Sequence, residues 1–322
     1  MNFDQDVLGP LRRWMGRGLR TSAATRWECD DLVAEGVRIT VTFPASAFAQ
    51  NVQEDVPAAA FFAVCFAYWH ERRTGRRTRA RARVDGVPGD GPHATRLRFV
   101  LHELAAALPG RFSLDPPMTW PLPERLVMNK EVLSRDTPTA KGDLSEAAVE
   151  RRIAGTPALW EAFSRDVAPV SSFRRQLPLG LFVDEVAVGR EVLPRGAAQV
   201  DLWGVSPDER VLHLVELKTR GNSAVGILPE ALTYARLLHH VRLGRIRGDG
   251  DGLAAARRAE RIVMWLVAPD YHPLVLHGGD SPVVWLNEGM ATDGVELRVL
   301  PIDLGEDGAV GWRGEKVVGG RG

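Results

Sequence analysis

Apolar positions along the chain follow two rhythms, one of about two residues and one of three to four, and their succession predicts the fold class. Over residues 144–163, Glu146, Val149, Glu150 and Ile153 share one helical face, with Ser145 placed to cap the helix. Three strand-like segments follow, at about 174–188 with a bend at Gly180, at 197–205, and at 211–219. A helix is expected from about Leu228, where Pro229 suits a first turn, through Glu230, Tyr234 and Leu238 to His240. Strands at 261–268 and 295–302 complete the succession. Helix, three strands, helix, strand is an α/β order.

The first part of the chain is less regular. Residues 36–43 (GVRITVTF) alternate as a half-buried strand, and the apolar run at 56–69 predicts a buried helix over about 57–73. A Gly/Pro loop at 84–92 and a helix at 94–108 come next, and the best linkers are residues 115–123 and 136–143. The division expected is an α+β domain over 1–138, an α/β domain over 139–308 and a frayed tail over 309–322.

Composition narrows the class. With 45% hydrophobic and 25% charged residues, the chain reads as globular, and the 41 basic and 41 acidic side chains cancel. Residues 1–140 hold 19 Lys/Arg against 16 Asp/Glu and the remainder 22 against 25, so a basic face is expected in the first part. Cys29 and Cys65 are too few for a disulfide framework or a cysteine-rich zinc site, which predicts a reducing, cytoplasmic setting. The 14-residue apolar run at 56–69 is shorter than the roughly 20 residues of a membrane span, and no targeting segment or membrane partner is expected.

Only four cationic residues are lysines, at 130, 141, 218 and 316, so Lys218 at the end of an apolar strand invites explanation. In VLHLVELKT, alternation puts Glu216 and Lys218 on one face. In AAQVDLWGV, Asp201 shares a face with Gln199 and Trp203 and is costly to bury without a partner. If these strands form a hairpin, Asp201 and Glu216 approach each other, and two repelling carboxylates call for a cation between them.

Asp201 followed by Glu216-Leu217-Lys218, with the element order over about 146–303, resembles the PD-(D/E)xK nuclease superfamily. The resemblance implies a restriction-endonuclease-like αβββαβ core and a metal-dependent endonuclease acting on nucleic acid, with DNA the expected substrate. It implies Mg²⁺ or Mn²⁺ on Asp201 and Glu216, with the Leu217 carbonyl completing the shell, and Lys218 on the attacking water. Glu150, and after it Glu146, resembles the family's helix-borne glutamate; Glu185 is an alternative first-strand acid. Glu230 and Tyr234 resemble accessory residues of the second helix. Val200 stands where the motif has proline.

The seven arginines Arg72, Arg73, Arg76, Arg77, Arg79, Arg81 and Arg83 read as a basic loop able to grip phosphates, or as a solvated one. His213 falls on the strand face opposite Glu216 and reads as packed. His239 and His240 end a helix, and no GxSxG, P-loop or GxGxxG motif is present. A homodimer or a partner protein remains compatible with the resemblance. The rival reading keeps the nuclease fold as an idle module that binds nucleic acid or protein within a larger complex.

Overall fold

The computed structural model describes residues 1–16, 26–32, 35–49, 58–86, 89, 91–117, 125–128, 143–193, 198–219 and 225–319. They form a mixed α/β protein of two compact units, one comprising Met1–Pro121, Ala224–Leu232 and Tyr271–Gly289, the other Leu122–Ser223, Thr233–Asp270 and Met290–Gly322. The boundary expected near residue 138, residues 136–142 of its linker and residues 118–123 of the proline-rich stretch lie outside the described residues. No helix among the described residues is long and apolar enough to cross a membrane.

In the first unit, α1 (Gly9–Met15) precedes β1 (Arg26–Leu32), β2 (Gly36–Pro44), α2 (Ala59–Thr74), β3 (Thr78–Asp85), α3 (Pro92–Ala107) and β4 (Phe112–Asp115). The sheet order is β1-β2-β3-β4, with β1 antiparallel to β2 and the other neighbours parallel. Two strand-helix-strand crossovers therefore replace the α+β arrangement expected of this part. Val37, Ile39, Val41 and Phe43 are buried on one face of β2, and α2 is apolar nearly all round, as a covered helix must be. The segment returning at Tyr271–Gly289 is tied to α2 by Trp69 Nε1 donating to the Leu274 carbonyl at 2.9 Å.

The arginine run is corrected by this unit. Residues 78–85 (TRARARVD) are strand β3, not loop, because Thr78, Ala80 and Ala82 turn inward and leave the arginines on the opposite face. The register sets Arg79, Arg81 and Arg83 beside Arg38, Thr40 and Thr42. Acids answer them: Arg79 meets Glu35 at 3.0 Å, Arg81 meets Asp115 at 3.6 Å, and Arg83 meets Asp115 at 3.1 Å and Glu28 at 3.4 Å. Arg72 pairs with Asp280 at 2.7 Å and Arg76 with Asp31 at 2.5 Å, while Arg73 and Arg77 are exposed.

The second unit contains β5 (Leu126–Met128), α4 (Glu146–Gly155), α5 (Pro157–Asp166), β6 (Arg174–Pro178), β7 (Leu181–Val183), β8 (Gln199–Val205) and β9 (Val211–Leu217). After these come α6 (Ile227–Arg242), divided between the units, then β10 (Ile246–Arg247), α7 (Asp251–Arg258) and β11 (Arg261–Ala268). Helix α8 (Val283–Met290) leads back from the first unit into β12 (Val295–Leu304) and β13 (Val310–Trp312). The main sheet runs β13-β12-β11-β9-β8-β6: β6, β8 and β9 are antiparallel neighbours, and β9, β11 and β12 are parallel.

Three expectations change here. The helix over 144–163 is two helices, because Pro157 forces Thr156 into extended backbone (φ −119°, ψ 98°) and starts α5 at its first turn. The strand over 174–188 divides at residues 179–180, and its second part, β7, joins a separate three-stranded sheet with β5 and β10. The tail is partly ordered: Ile302 pairs with Trp312, whose indole donates to the Leu159 carbonyl at 3.0 Å. Partly burying that indole and filling its donor outweighs fraying.

Phe163 centres the core, with ring contacts to Phe173, Trp265 and Trp312 at 5.0–5.4 Å. His213 is buried here and accepts from Trp265 Nε1 at 3.1 Å through Nδ1. Burial pushes its pKa from the ordinary 6.5 down to about 4, so the folded chain refuses a proton that the unfolded chain takes up. This contribution is full above pH 6.5 and is lost as pH falls toward 4, at up to about 1.4 kcal/mol per unit. His213→Asn keeps an acceptor for Trp265 without the titration. In urea denaturation at pH 7 and 4.5, wild type should lose about 2 kcal/mol more than the variant; equal losses would contradict the assignment.

Candidate active site

Strand β9 lies between β8 and β11, and six of its seven residues are buried. Its paired register with β8 runs from Val205↔Leu212 to Leu202↔Val215. Continued by one position the register would set Asp201 opposite Glu216, but the ladder stops there and a side chain takes its place: the Asp201 carboxylate accepts from the Leu217 amide at 2.7 Å. On the other edge of β9, the Lys218 amide donates to the Val267 carbonyl at 2.9 Å. The end of the strand is thus held on both sides, and the two carboxylates expected to meet share one face of adjacent strands.

Lys218 and Glu216 leave that strand end together. Lys218 Nζ lies 2.6 Å from Glu216 Oε1 and 3.8 Å from Glu146 Oε2, with Glu216 buried and Lys218 nearly so. Glu146 opens α4, whose start is fixed by Ser145 accepting from the Ala148 amide at 3.3 Å, the cap expected from the sequence. One turn on, Glu150 is buried and accepts from Arg175 Nε at 2.9 Å.

Burial pushes the Asp201 carboxyl up to about 7; the Leu217 amide and Lys218 oppose the rise, while Glu150 and Glu146 add to it. Burial also raises the pKa of Glu150, against the pull of Arg175 and of a hydrogen bond from Gln176. Two hard carboxylate donors facing across a strand pair fit Mg²⁺ or Mn²⁺ by their chemistry. As the side chains lie, Asp201 is turned to the Leu217 amide and Glu216 to Lys218. Among the described residues no three His, Cys, Asp or Glu side chains form a group that could hold a metal ion. Leu217 meets Asp201 through its amide, whereas its carbonyl was the expected ligand.

Of the expected residues, the structure brings together Asp201, Glu216, Lys218, Glu146 and Glu150. It does not bring in Glu185, which is exposed in the turn after β7, in a chain segment whose strand pairs with β5 rather than β8. Glu230 and Tyr234 are buried on α6, Glu230 in the stretch belonging to the first unit and Tyr234 in the stretch belonging to the second. The arginines of residues 72–83 belong to the first unit.

Two residues of the site were not anticipated. Arg175 pairs with Leu202 in the register and so shares the inward face of β6 with Leu177; an arginine on that face requires a buried acid, and the alternation of RRQLP could have disclosed it. Gln176 falls opposite Asp201, where the ladder between β6 and β8 skips a pair, and adopts φ +54°, a conformation costing about 1 kcal/mol in a residue other than glycine. No sequence pattern announces it. Asp201 thus sits at a gap in the pairing on both sides of its strand.

No protein-family model, curated protein or solved structure matches the chain.

The Glu150–Arg175 pair carries a direct consequence. Arg175→Met leaves a buried carboxylate uncompensated and should cost about 3–5 kcal/mol in chemical denaturation. Joining it to Glu150→Leu should recover most of that loss, and strictly additive losses in the two variants would refute the coupling.

Proposed function

We propose that the second unit is a metal-dependent phosphodiester hydrolase of PD-(D/E)xK type acting on DNA. The observation that carries the reading is the Asp201 carboxylate held on the Leu217 amide, next in the chain to Glu216, with Lys218 beside Glu216 at 2.6 Å. The order α4/α5, β6, β8, β9, α6, β11 supports it, since helix, three antiparallel neighbours, helix and a parallel strand is the expected αβββαβ succession.

Asp201 and Glu216 would hold Mg²⁺ or Mn²⁺, which when bound makes hydroxide available near neutral pH and offsets charge on the phosphoryl group. Lys218 donates to the attacking water and to the oxygens on which charge develops. Glu146, 3.8 Å from the Lys218 ammonium, helps to hold that side chain at the strand end. Glu150, locked to Arg175, fixes α4 against β6 and thereby sets the distance from Glu146 to Lys218. Gln176, opposite Asp201 and bonded to Glu150, links the helix to the strand gap.

One observation favours a second reading, a nuclease-fold module that binds without cutting: Lys218 with Glu216, and Arg175 with Glu150, already neutralise one another within the protein. Cleavage of supercoiled, linear and single-stranded DNA, with RNA alongside, separates the two. The hydrolase reading expects cutting in Mg²⁺ or Mn²⁺ that stops in EDTA and falls on the order of 10²-fold or more in Lys218→Ala. Nucleic-acid binding unchanged in Glu216→Gln, with no cutting under any condition, would select the binding module.

A further inference from the structure

In the first unit, α3 is reached from the carboxyl end of β3, and β4 returns parallel to β3. Its first turn therefore lies at the end of the strands where α/β sheets take their ligands. Strand β2, parallel to β3, ends on the same side in the 3-10 turn Ala45–Ala49, against which α3 packs. Pro92 opens the helix, and Gly91 precedes it at φ +121°, backbone that favours glycine. Among the described residues no side chain caps this start. The first backbone bond is made by the Thr95 amide, which donates to the Gly91 carbonyl at 2.9 Å, so the amides of His93 and Ala94 precede the helical ladder. A methyl group placed on Gly89 or Gly91 would meet no other part of the described chain within 4 Å, which leaves room beside the first turn. Arg98 holds Gly89 there, donating to its carbonyl at 2.9 Å.

Arg96 stands in the second turn of α3 and is 1% exposed, yet its Nε and Nη2 have no hydrogen-bond partner among the described residues. A buried cation calls for an anion. Glu103, buried on the same helical face, lies seven residues on, roughly 10 Å along the axis away from the helix start. It meets His102 at 3.4 Å. Side chains on a helix lean toward its N-terminus, so Arg96 reaches back over the turn that begins at Pro92. The rise from Pro92 to Arg96 is about 6 Å, within the length of an arginine side chain. The guanidinium and the uncapped amides thus converge on the first turn of α3.

We propose that this start of α3, with Arg96, binds a phosphate group. The amides of His93 and Ala94 present the positive end of a 16-residue helix, and Arg96 presents a full charge. The tetrahedral oxygens of a phosphate can accept from both directions at once, whereas a planar carboxylate turned to the guanidinium leaves the amides unanswered. The phosphate belongs either to a small phosphorylated molecule or to a nucleic-acid strand, and the donors would treat the two alike. The site lies in the first unit and stands apart from the hydrolase reading of the second.

Calorimetric titration of the full chain, in phosphate-free buffer with EDTA, compares wild type with Arg96→Met. The probes are inorganic phosphate and a short single-stranded DNA with or without a 5′-phosphate. Saturable binding is expected in wild type, weakened roughly ten-fold or more in the variant. In the same buffer without probe, thermal unfolding of Arg96→Met should occur at or above the wild-type temperature, because methionine fills the space without burying a charge. Added ligand should then raise the wild-type temperature alone. Binding of inorganic phosphate and of the 5′-phosphorylated strand only would assign the site to a free or terminal phosphate; equal binding of both strands, lost in the variant, would assign it to the backbone. No saturable binding of any probe by wild type, or equal affinity in the variant for every probe that binds, would overturn the site. A variant less stable than wild type in the phosphate-free buffer would overturn it as well, since the chain itself would then be neutralising Arg96.

Discussion

A buried backbone amide has to find a partner, and at the end of β9 the Leu217 amide finds one in the Asp201 side chain. Had the β8–β9 ladder continued with ordinary backbone pairing, Asp201 would be a charged group in a closed sheet. Because its carboxylate takes the place of a carbonyl, the strands can part at this point without stranding a donor, and the acid is retained beside the Glu216-Leu217 peptide. The skipped pair at Gln176 repeats the device on the other edge of β8. Everything proposed for the second unit depends on this opening in an otherwise paired sheet.

The opening is held by neighbours that fold for reasons of their own. Ser145 fixes the first turn of α4, which sets Glu146 near Lys218 and Glu150 onto Arg175. Packing of Val149 and Ile153 with Phe163 and Trp265 fixes the helix on the sheet from below the site. The first unit uses its charges differently. Its β3 arginines are spent on Glu28, Glu35 and Asp115, a balance that keeps a charged sheet face soluble but leaves it little field with which to gather phosphates.

Much of the second unit was legible in the sequence because its strands are strongly patterned. VLHLVELKT and RIVMWLVA are continuous enough to be central strands, and the separation of Asp201 from Glu216 is short enough for a hairpin to align them. Where the pattern misleads, the deciding interaction is local and weak or distant in sequence. Pro157 broke a helix whose apolar period continued across it. TRARARV does not announce a strand, because its inward residues are threonine and alanine, too small to advertise burial. The positive φ of Gln176 follows from the gap it spans rather than from its side chain. The assignment of Ala224–Leu232 and Tyr271–Gly289 to the first unit depends on contacts between segments far apart in sequence.

In the function proposed for the second unit, Asp201 and Glu216 would hold a divalent cation between them. Electron paramagnetic resonance of free Mn²⁺, titrated into wild type, Asp201→Asn and Glu216→Gln at pH 7.5, tests it without reference to any substrate. Saturable binding in wild type that weakens ten-fold or more in each variant is the predicted result. No saturable binding in wild type, or equal binding in all three proteins, would contradict it.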